Sequence, residues 1–346
     1  LEDTVRPDAP EILEYFRSQG VELKVISGDN PATVAAVAER AGIPDAANWI
    51  DARTLPPDDD PEFGEIVERT RVFGRVTPHQ KRAMVRSLHA HEHVVAMTGD
   101  GVNDVLALKD SDMGIAMGAG SAATRAVAQL VLLDNKFATL PTVLDEGRRV
   151  INNIERVSNL FFTKATYAVL LTLMVGITGS PVPFLPRQLT LIGTFSIGIP
   201  GLFLALAANH ALVRPGVLPR VLRFSLPAGI VAGLGAHVAY EVARADDAMT
   251  IEVARTIATV TLLIAGLVVL VVISRPLRPW KVALAAGMGL GYAVVMWLDP
   301  LRDYFQLEYL ERDEWLIVGS VSFVTGLLIV VAPTLVERWW PLDGEA

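Results

Sequence analysis

Apolar positions fall into two regimes along the chain. Before about residue 159 they come in short runs separated by polar or glycine-rich turns, and from Leu160 to position 333 they merge into six long runs. In the first regime, Pro10 to Gln19 carries Ile12, Leu13, Tyr15 and Phe16 at helical spacing, with Asp8 as N-cap and Gly20 past the end. Val21 to Ile26 reads as a strand ending in Ser27-Gly28-Asp29-Asn30, and a helix follows from Pro31 to Ala41, stopped by Gly42. Short strands are predicted at Asn48–Asp51 and Val72–Arg75, a charged loop at Pro56–Pro61 and a helix at Pro78–His91. Val94–Met97 then reads as a buried strand, broken by Thr98-Gly99-Asp100-Gly101, with Asn103 and Asp104 opening a short helix. Strand Asp112–Met117, helix Ser121–Val127 and strand Gln129–Leu133 complete the series. Strands alternating with helices predict an α/β fold, a doubly wound parallel sheet.

The second regime is a membrane pattern. An amphipathic helix from Leu140 to Asn159 (Val143, Leu144, Gly147, Val150, Ile151, Ile154, Val157) runs straight into Leu160-Phe161-Phe162. The apolar segments are Leu160–Thr178, Leu189–Ala207, Phe224–Val242, Thr256–Ile273, Val282–Leu298 and Leu316–Ala332, each close to the roughly 20 residues that span a bilayer. The expected organisation is a soluble part over 1–139, a stalk over 140–159, a six-helix membrane domain over 160–333 and a tail over 334–346. Loops on the side of the soluble part hold Arg214, Arg220 and Arg223, then Arg275, Arg278 and Lys281. The opposite loops carry Arg187, then Arg244 and Arg255 among Asp246, Asp247 and Glu252, and lastly Asp299, Asp303, Glu308, Glu311, Asp313 and Glu314. The positive-inside rule therefore places the soluble part and the C-terminus in the cytoplasm of a multi-pass plasma-membrane protein.

Composition refines this picture in two places. A net charge of −8 gives no electrostatic case for nucleic-acid binding. The absence of cysteine excludes disulfides and thiolate metal sites within this stretch, and fits a reducing compartment.

Four short polar pieces share one polarity: Ser27-Gly28-Asp29, Thr77-Pro78-His79-Gln80-Lys81, Thr98-Gly99-Asp100-Gly101 and Asn103-Asp104. Ligands bind at the carboxyl edge of open α/β sheets, where such turns sit. A hydroxyl and N–H groups can hold phosphoryl oxygens, a lysine can neutralise them and two carboxylates can hold Mg²⁺, which is the equipment of phosphoryl transfer. Singly each piece has a plainer reading. Ser27-Gly28-Asp29 is a common loop or cap, Lys81 a solvated helix residue, and Asp100 and Asp104 helix caps.

The stretches V-I-S-G-D-N, V-F-G-R-V-T-P-H-Q-K and M-T-G-D-G-V-N-D-V-L-A-L-K-D-S-D-M-G-I-A-M-G resemble P-type cation-transporting ATPases of the haloacid dehalogenase superfamily. The likeness continues through A-Q-L-V-L-L-D, E-G-R-R-V-I-N-N-I-E-R and the six apolar segments. It implies a partial haloacid-dehalogenase-like sheet followed by six transmembrane helices, with ATP and Mg²⁺ as cofactors. Residue by residue it implies that Asp100 is a Mg²⁺ ligand, with Asp104 and Asn103 supporting the phosphate site, and that Lys81 meets the phosphoryl group. Ser27-Gly28-Asp29 stands where the family has T-G-D, and Arg75 where an arginine lies near the nucleotide. Leu1 to Pro7 looks like a hinge, with Asp3 and Arg6 as hinge or ordinary surface residues. The family's phosphorylated D-K-T-G-T, its nucleotide-binding domain, its T-G-E actuator domain and its first four membrane helices have no counterpart here. The resemblance therefore implies the C-terminal portion of a pump, inactive alone, whose partners are its missing N-terminal part, a transported cation and the bilayer. Two rival readings are a membrane-tethered phosphatase and a truncated membrane protein with an assembly or regulatory role.

The cation is less legible. In the second segment Gly198 and Pro200 fit the family's unwound G-x-P, but Ile197 stands where an acid is usual, leaving Thr194 and Ser196 as neutral oxygen donors. Hydroxyls on membrane helices also bond to their own backbone. Lys164, the one ionisable residue within the first segment, aligns beside the family's ion site and would act there as an internal counter-cation, or else snorkel to the surface. His237 and Glu241 sit one turn apart in the third segment, with Glu241 expected to be solvated. Six helices after the phosphorylation domain, and the phrase G-V-N-D-V-L-A-L-K, resemble bacterial calcium-pump-like members, so Ca²⁺ is the expected cargo.

Overall fold

A computed structural model describes residues 5–209, 211–214 and 216–339. Asp3 of the expected hinge and residues 340–346 of the expected tail lie outside the described residues. The chain divides into two compact units, Leu1–Asp145 and Glu146–Ala346.

The first unit runs α1 (Ala9–Ser18), β1 (Val25–Ile26), α2 (Pro31–Arg40), β2 (Trp49–Asp51), α3 (Pro61–Arg69), β3 (Val72–Gly74), α4 (Pro78–Ala90), β4 (Ala96–Gly99), α5 (Val105–Asp110), β5 (Met113–Met117), α6 (Ala122–Val127) and β6 (Leu130–Leu132). Every strand pair is parallel, in two three-stranded sheets ordered β1-β3-β2 and β4-β5-β6. Strands are shorter than the apolar runs suggested. Val21 and Val94 lie outside them and are exposed, because apolar character continues beyond the stretch where a neighbour is available to pair. Asp8 stands at the N-cap of α1, but its side chain caps nothing.

β3 is the central strand of its sheet and fully buried, and Gly74 ends it because α2 lies directly on it: a Cβ there would come within 2.3 Å of the Pro31 Cα. α4 starts on a capping box in which Thr77 and Gln80 satisfy each other's backbone N–H groups, with Pro78 in the first turn. It serves both sheets. Met84 joins the cluster of Phe63, Val67 and Phe73, whereas Val85 joins that of Met97, Ala107 and Leu108.

The second unit is helical. One unbroken helix, α7 (Leu140–Thr178), contains the unit boundary. It is followed by α8 (Pro186–Gly193), a π-helical turn (Thr194–Gly198), α9 (Ile199–Ala205), α10 (Val217–Arg244), α11 (Ile251–Ile273), α12 (Pro279–Trp297), α13 (Asp299–Tyr304) and α14 (Arg312–Trp339). Among the described residues six helices are long and apolar enough to cross a membrane, α8 and α9 counting as one with the π turn between them. Small residues let neighbouring helices approach closely. A Cβ on Gly229 would lie 2.5 Å from the Thr166 Cβ, and one on Gly235 2.2 Å from the Thr325 hydroxyl.

Candidate functional site

Two groups of polar residues occupy strand ends in the first unit. The first follows β1. The Ser27 N–H donates to the Phe73 carbonyl of β3 at 3.0 Å, and the Ser27 carbonyl accepts the Val76 N–H at 3.0 Å. The Ser27 hydroxyl receives the Asp29 N–H at 3.1 Å and donates to the Asp29 carboxylate at 3.2 Å, while Asn30 caps α2 through the Ala32 N–H. Arg75 lies in the left-handed region (φ +55°). Its N–H reaches the Asp29 carbonyl at 2.8 Å, and its guanidinium pairs with Asp51 at 2.9 Å. Asp51 also receives Arg53, whose hydrogen bonds do most to hold its carboxyl far below the usual carboxylate range, with Arg75 adding to the effect. Ser27, Gly28, Asp29 and Arg75 thus form one hydrogen-bonded turn.

The second group follows β4. A short 3₁₀ turn, Val102–Asp104, leads into α5 and brings Asp104 back under Gly99 so tightly that a Cβ on Gly99 would lie 2.6 Å from the Asp104 Cβ. Asp104 is 7% exposed and Lys81, from the first turns of α4, 9%. The Lys81 ammonium donates to Asp104 Oδ1 at 2.6 Å, and the Gly101 N–H to Oδ2 at 3.3 Å. Two charges this far from water persist only as a pair with further hydrogen bonds. Asp100 and Asn103, by contrast, are exposed, and no hydrogen bond or ion pair engages either side chain among the described residues.

Asp100, Asn103, Asp104 and Lys81 therefore share one turn, and Ser27, Gly28, Asp29 and Arg75 another. No hydrogen bond joins the two groups among the described residues; α4 packs on both sheets, as does α1 through Leu13 and Phe16. No group of three or more His, Cys, Asp or Glu able to hold a metal occurs among the described residues. The donor set fits Mg²⁺ in the manner that ion favours, with one or two carboxylates and the remaining positions left to water and substrate oxygens. Asp100 offers the free carboxylate for that ion, while both oxygens of Asp104 are already engaged.

In the second unit, Thr194 is exposed and its hydroxyl donates to the Thr190 carbonyl at 2.9 Å; Ser196 is buried and donates to the Ile192 carbonyl at 2.7 Å. The stretch around Gly198 and Pro200 is a π-helical turn followed directly by α9, not an unwound segment. Such turns widen the backbone ladder and are frequent at functional positions. Lys164 faces it: a Cβ on Gly193 would lie 3.1 Å from the ammonium. His237 is 7% exposed and stands 4.0 Å from Glu241, which is half-buried and takes Arg244 as its closer partner. The π turn carries no period or composition of its own in the sequence, which is why Gly198 and Pro200 read as a break.

Residues 1–112 match a haloacid dehalogenase-like hydrolase family. The chain is 48% identical over 359 residues to the calcium-transporting ATPase CtpE of Mycolicibacterium smegmatis, covering 100% of this chain and 44% of that protein. It is 40% identical over 237 residues to the probable cation-transporting ATPase exp7 of Streptococcus pneumoniae, covering 66% of this chain and 30% of that one. With a calcium-transporting ATPase of Bacillus subtilis the identity is 27% over 349 residues, covering 94% of this chain and 39% of the relative. The chain thus spans a little under half the length of the curated relatives it matches. The chain belongs to the P-type cation-transporting ATPases.

Proposed function

We propose that this chain is the C-terminal portion of an ATP-driven cation pump and supplies one half of its aspartyl-phosphate site, with Ca²⁺ as the cargo. The observation that carries this reading is the Lys81–Asp104 pair beside the free carboxylate of Asp100, at the end of a strand with an unpaired edge. Among the described residues β4 pairs with β5 alone and β1 with β3 alone, and each of these edge strands ends in one of the polar turns. A strand from the remainder of the pump, carrying the nucleophilic aspartate, would pair with those edges and bring its carboxyl end toward Ser27 and Asp100. Unpaired strand edges invite such pairing.

In this arrangement Lys81 neutralises the transferred phosphoryl group and Asp104 holds the ammonium in place. The Ser27 hydroxyl and nearby N–H groups receive its oxygens, and Arg75 lies toward the nucleotide. Asp100, with Asp104 and Asn103 in support, would hold Mg²⁺, whose charge stabilises the phosphoryl oxygens of ATP and of the aspartyl phosphate. The reaction exchanges the bond between the ATP γ-phosphorus and its bridging oxygen for a bond to the carboxylate, releasing ADP; water later cleaves the acyl phosphate. α7 would carry the consequence of that cycle toward the bilayer, with the soluble unit cytoplasmic.

Ca²⁺ is supported by the names of two of the relatives. The ion-facing residues would be the Lys164 ammonium and the π turn, with Thr194 and Ser196 shaping that turn through their backbone bonds. ATP hydrolysis by the complete protein, measured against a panel of Ca²⁺, Mn²⁺, Na⁺ and K⁺ at fixed Mg²⁺, tests the cargo: Ca²⁺ at micromolar free concentration should stimulate, and stimulation by another cation with indifference to Ca²⁺ would overturn it. Lys164→Gln should change the apparent cation affinity or the number of ions moved per ATP, and unchanged transport would remove Lys164 from the site.

A further inference from the structure

The turn that carries Asp100 is held from outside by residues that no motif marks. Its carbonyl accepts the Ser121 N–H at 2.9 Å, and the Thr124 hydroxyl, which donates to the Ser121 carbonyl at 2.8 Å, lies 3.4 Å away. Gly120 fits so closely against it that a Cβ would lie 3.0 Å from the Asp100 carbonyl oxygen. Two positions before Ser121, the Ala119 N–H donates to the Asn135 side-chain oxygen at 2.6 Å. Asn135 occupies the left-handed region (φ +57°), which asparagine tolerates better than most residues bearing a side chain. Its own carbonyl accepts the Arg6 guanidinium at 3.0 Å. Its neighbour Asp134 accepts the Lys136 N–H at 3.1 Å and the Thr139 hydroxyl at 2.6 Å, so the same loop is fastened to the residue directly before α7.

We propose that Asn135 is a positioning residue, joining the Asp100 turn through Ala119–Ser121 to the Arg6 segment and to the start of α7. The Leu132 carbonyl also holds this segment, accepting the Gly118 N–H at 2.8 Å, but among the described residues of 132–135 Asn135 is the one that offers a side-chain acceptor to Ala119 and a main-chain acceptor to Arg6. The catalytic consequence rests on the phosphoryl-transfer reading. The relay itself is a property of this chain.

Two variants separate side chain from backbone. Asn135→Gly keeps the left-handed corner and removes the acceptor; Asn135→Asp keeps both. In the intact chain in detergent, residue-resolved hydrogen exchange should accelerate about tenfold at both the Ala119 and Ser121 amides in Asn135→Gly, the loss of about one net hydrogen bond. The amides of β3 should be unchanged, and Asn135→Asp should match wild type. Acceleration confined to Ala119 would overturn the relay. In the complete pump, the Mg²⁺ concentration for half-maximal phosphoenzyme should rise about tenfold in Asn135→Gly and recover in Asn135→Asp, as for other residues that orient a metal ligand. An unchanged Mg²⁺ requirement in a Gly variant whose Ser121 amide exchanges fast would overturn the positioning role. A wild-type pump that forms no phosphoenzyme overturns the phosphoryl-transfer reading instead, and the exchange result then decides the relay alone.

Discussion

Replacing Lys81 by Ala would leave the Asp104 carboxylate buried, with the Gly101 N–H as its one hydrogen-bond partner among the described residues. Removing one member of a buried pair typically costs about 3–5 kcal/mol, because the remaining charge is stranded and not because the pair itself is strongly stabilising. Thermal unfolding with a protease as the probe should therefore show the first unit of Lys81→Ala melting well below wild type, and Asp104→Asn with Lys81→Met closer to it. Equal melting of Lys81→Ala and wild type would mean that the pair is solvated. A second pair of variants separates two glycines. Gly99→Ala drives a methyl into Asp104 and should cost about 1–3 kcal/mol. Gly28→Ala meets nothing closer than the Val76 carbonyl at 4.0 Å and should be near neutral in the same assay. At this scale the motif residues were legible, since Asp100, Asp104 and Lys81 sit at strand and helix ends that the sequence marks. The division of labour between the two carboxylates was not. Which aspartate is taken by the lysine depends on how the 3₁₀ turn folds back under Gly99, and that is a distance, not a spacing.

Among elements, α4 is tied to the side of the second sheet by charge as well as by Val85. Arg82 and Arg86 each donate to Asp110 at 2.7 Å, and they hold its carboxyl below the ordinary aspartate range, Arg82 more strongly. Asp112 is held low first by the Val95 N–H and then by His89. A carboxyl depressed in the folded state adds stability above its unfolded pKa, about 4, and loses it as pH falls through the lower folded value. Melting of the first unit should accordingly be level from pH 7 to 5 and fall below pH 4. Arg82→Gln with Arg86→Gln should shallow that acid slope, and an identical slope in this variant would place the acid sensitivity elsewhere. In the membrane unit, Gly266 lets α11 lie against the π turn: a Cβ there would come within 2.7 Å of the Ser196 Cβ. Gly266→Ala should lower the melting temperature of the detergent-solubilised chain, whereas Gly319→Ala, with nothing within 4 Å, should leave it alone; equal melting would show that the turn yields without cost. Helices were legible from period and caps, strands only in part. Val21 and Val94 have strand composition, yet a strand ends where its neighbour ends, and neighbours are chosen by topology.

For the whole molecule, the order of the described elements was readable: a parallel α/β unit, then six apolar helices, the first continuous from Leu140. What remained hidden was geometric. Two half-sheets, each bounded among the described residues by a strand with one unpaired edge that bears a polar turn, look in sequence like the two halves of one continuous sheet. The central claim is that Asp100 and Lys81 serve an aspartyl phosphate formed on the remainder of the pump. Its most direct test is the acid-stable label transferred from γ-³²P-ATP to the complete protein. Wild type should take up a Mg²⁺-dependent, hydroxylamine-labile label, and Asp100→Asn should take up none while its membrane helices stay folded by circular dichroism. Labelling of Asp100→Asn at the wild-type level, or no hydroxylamine-labile label in wild type, would contradict it.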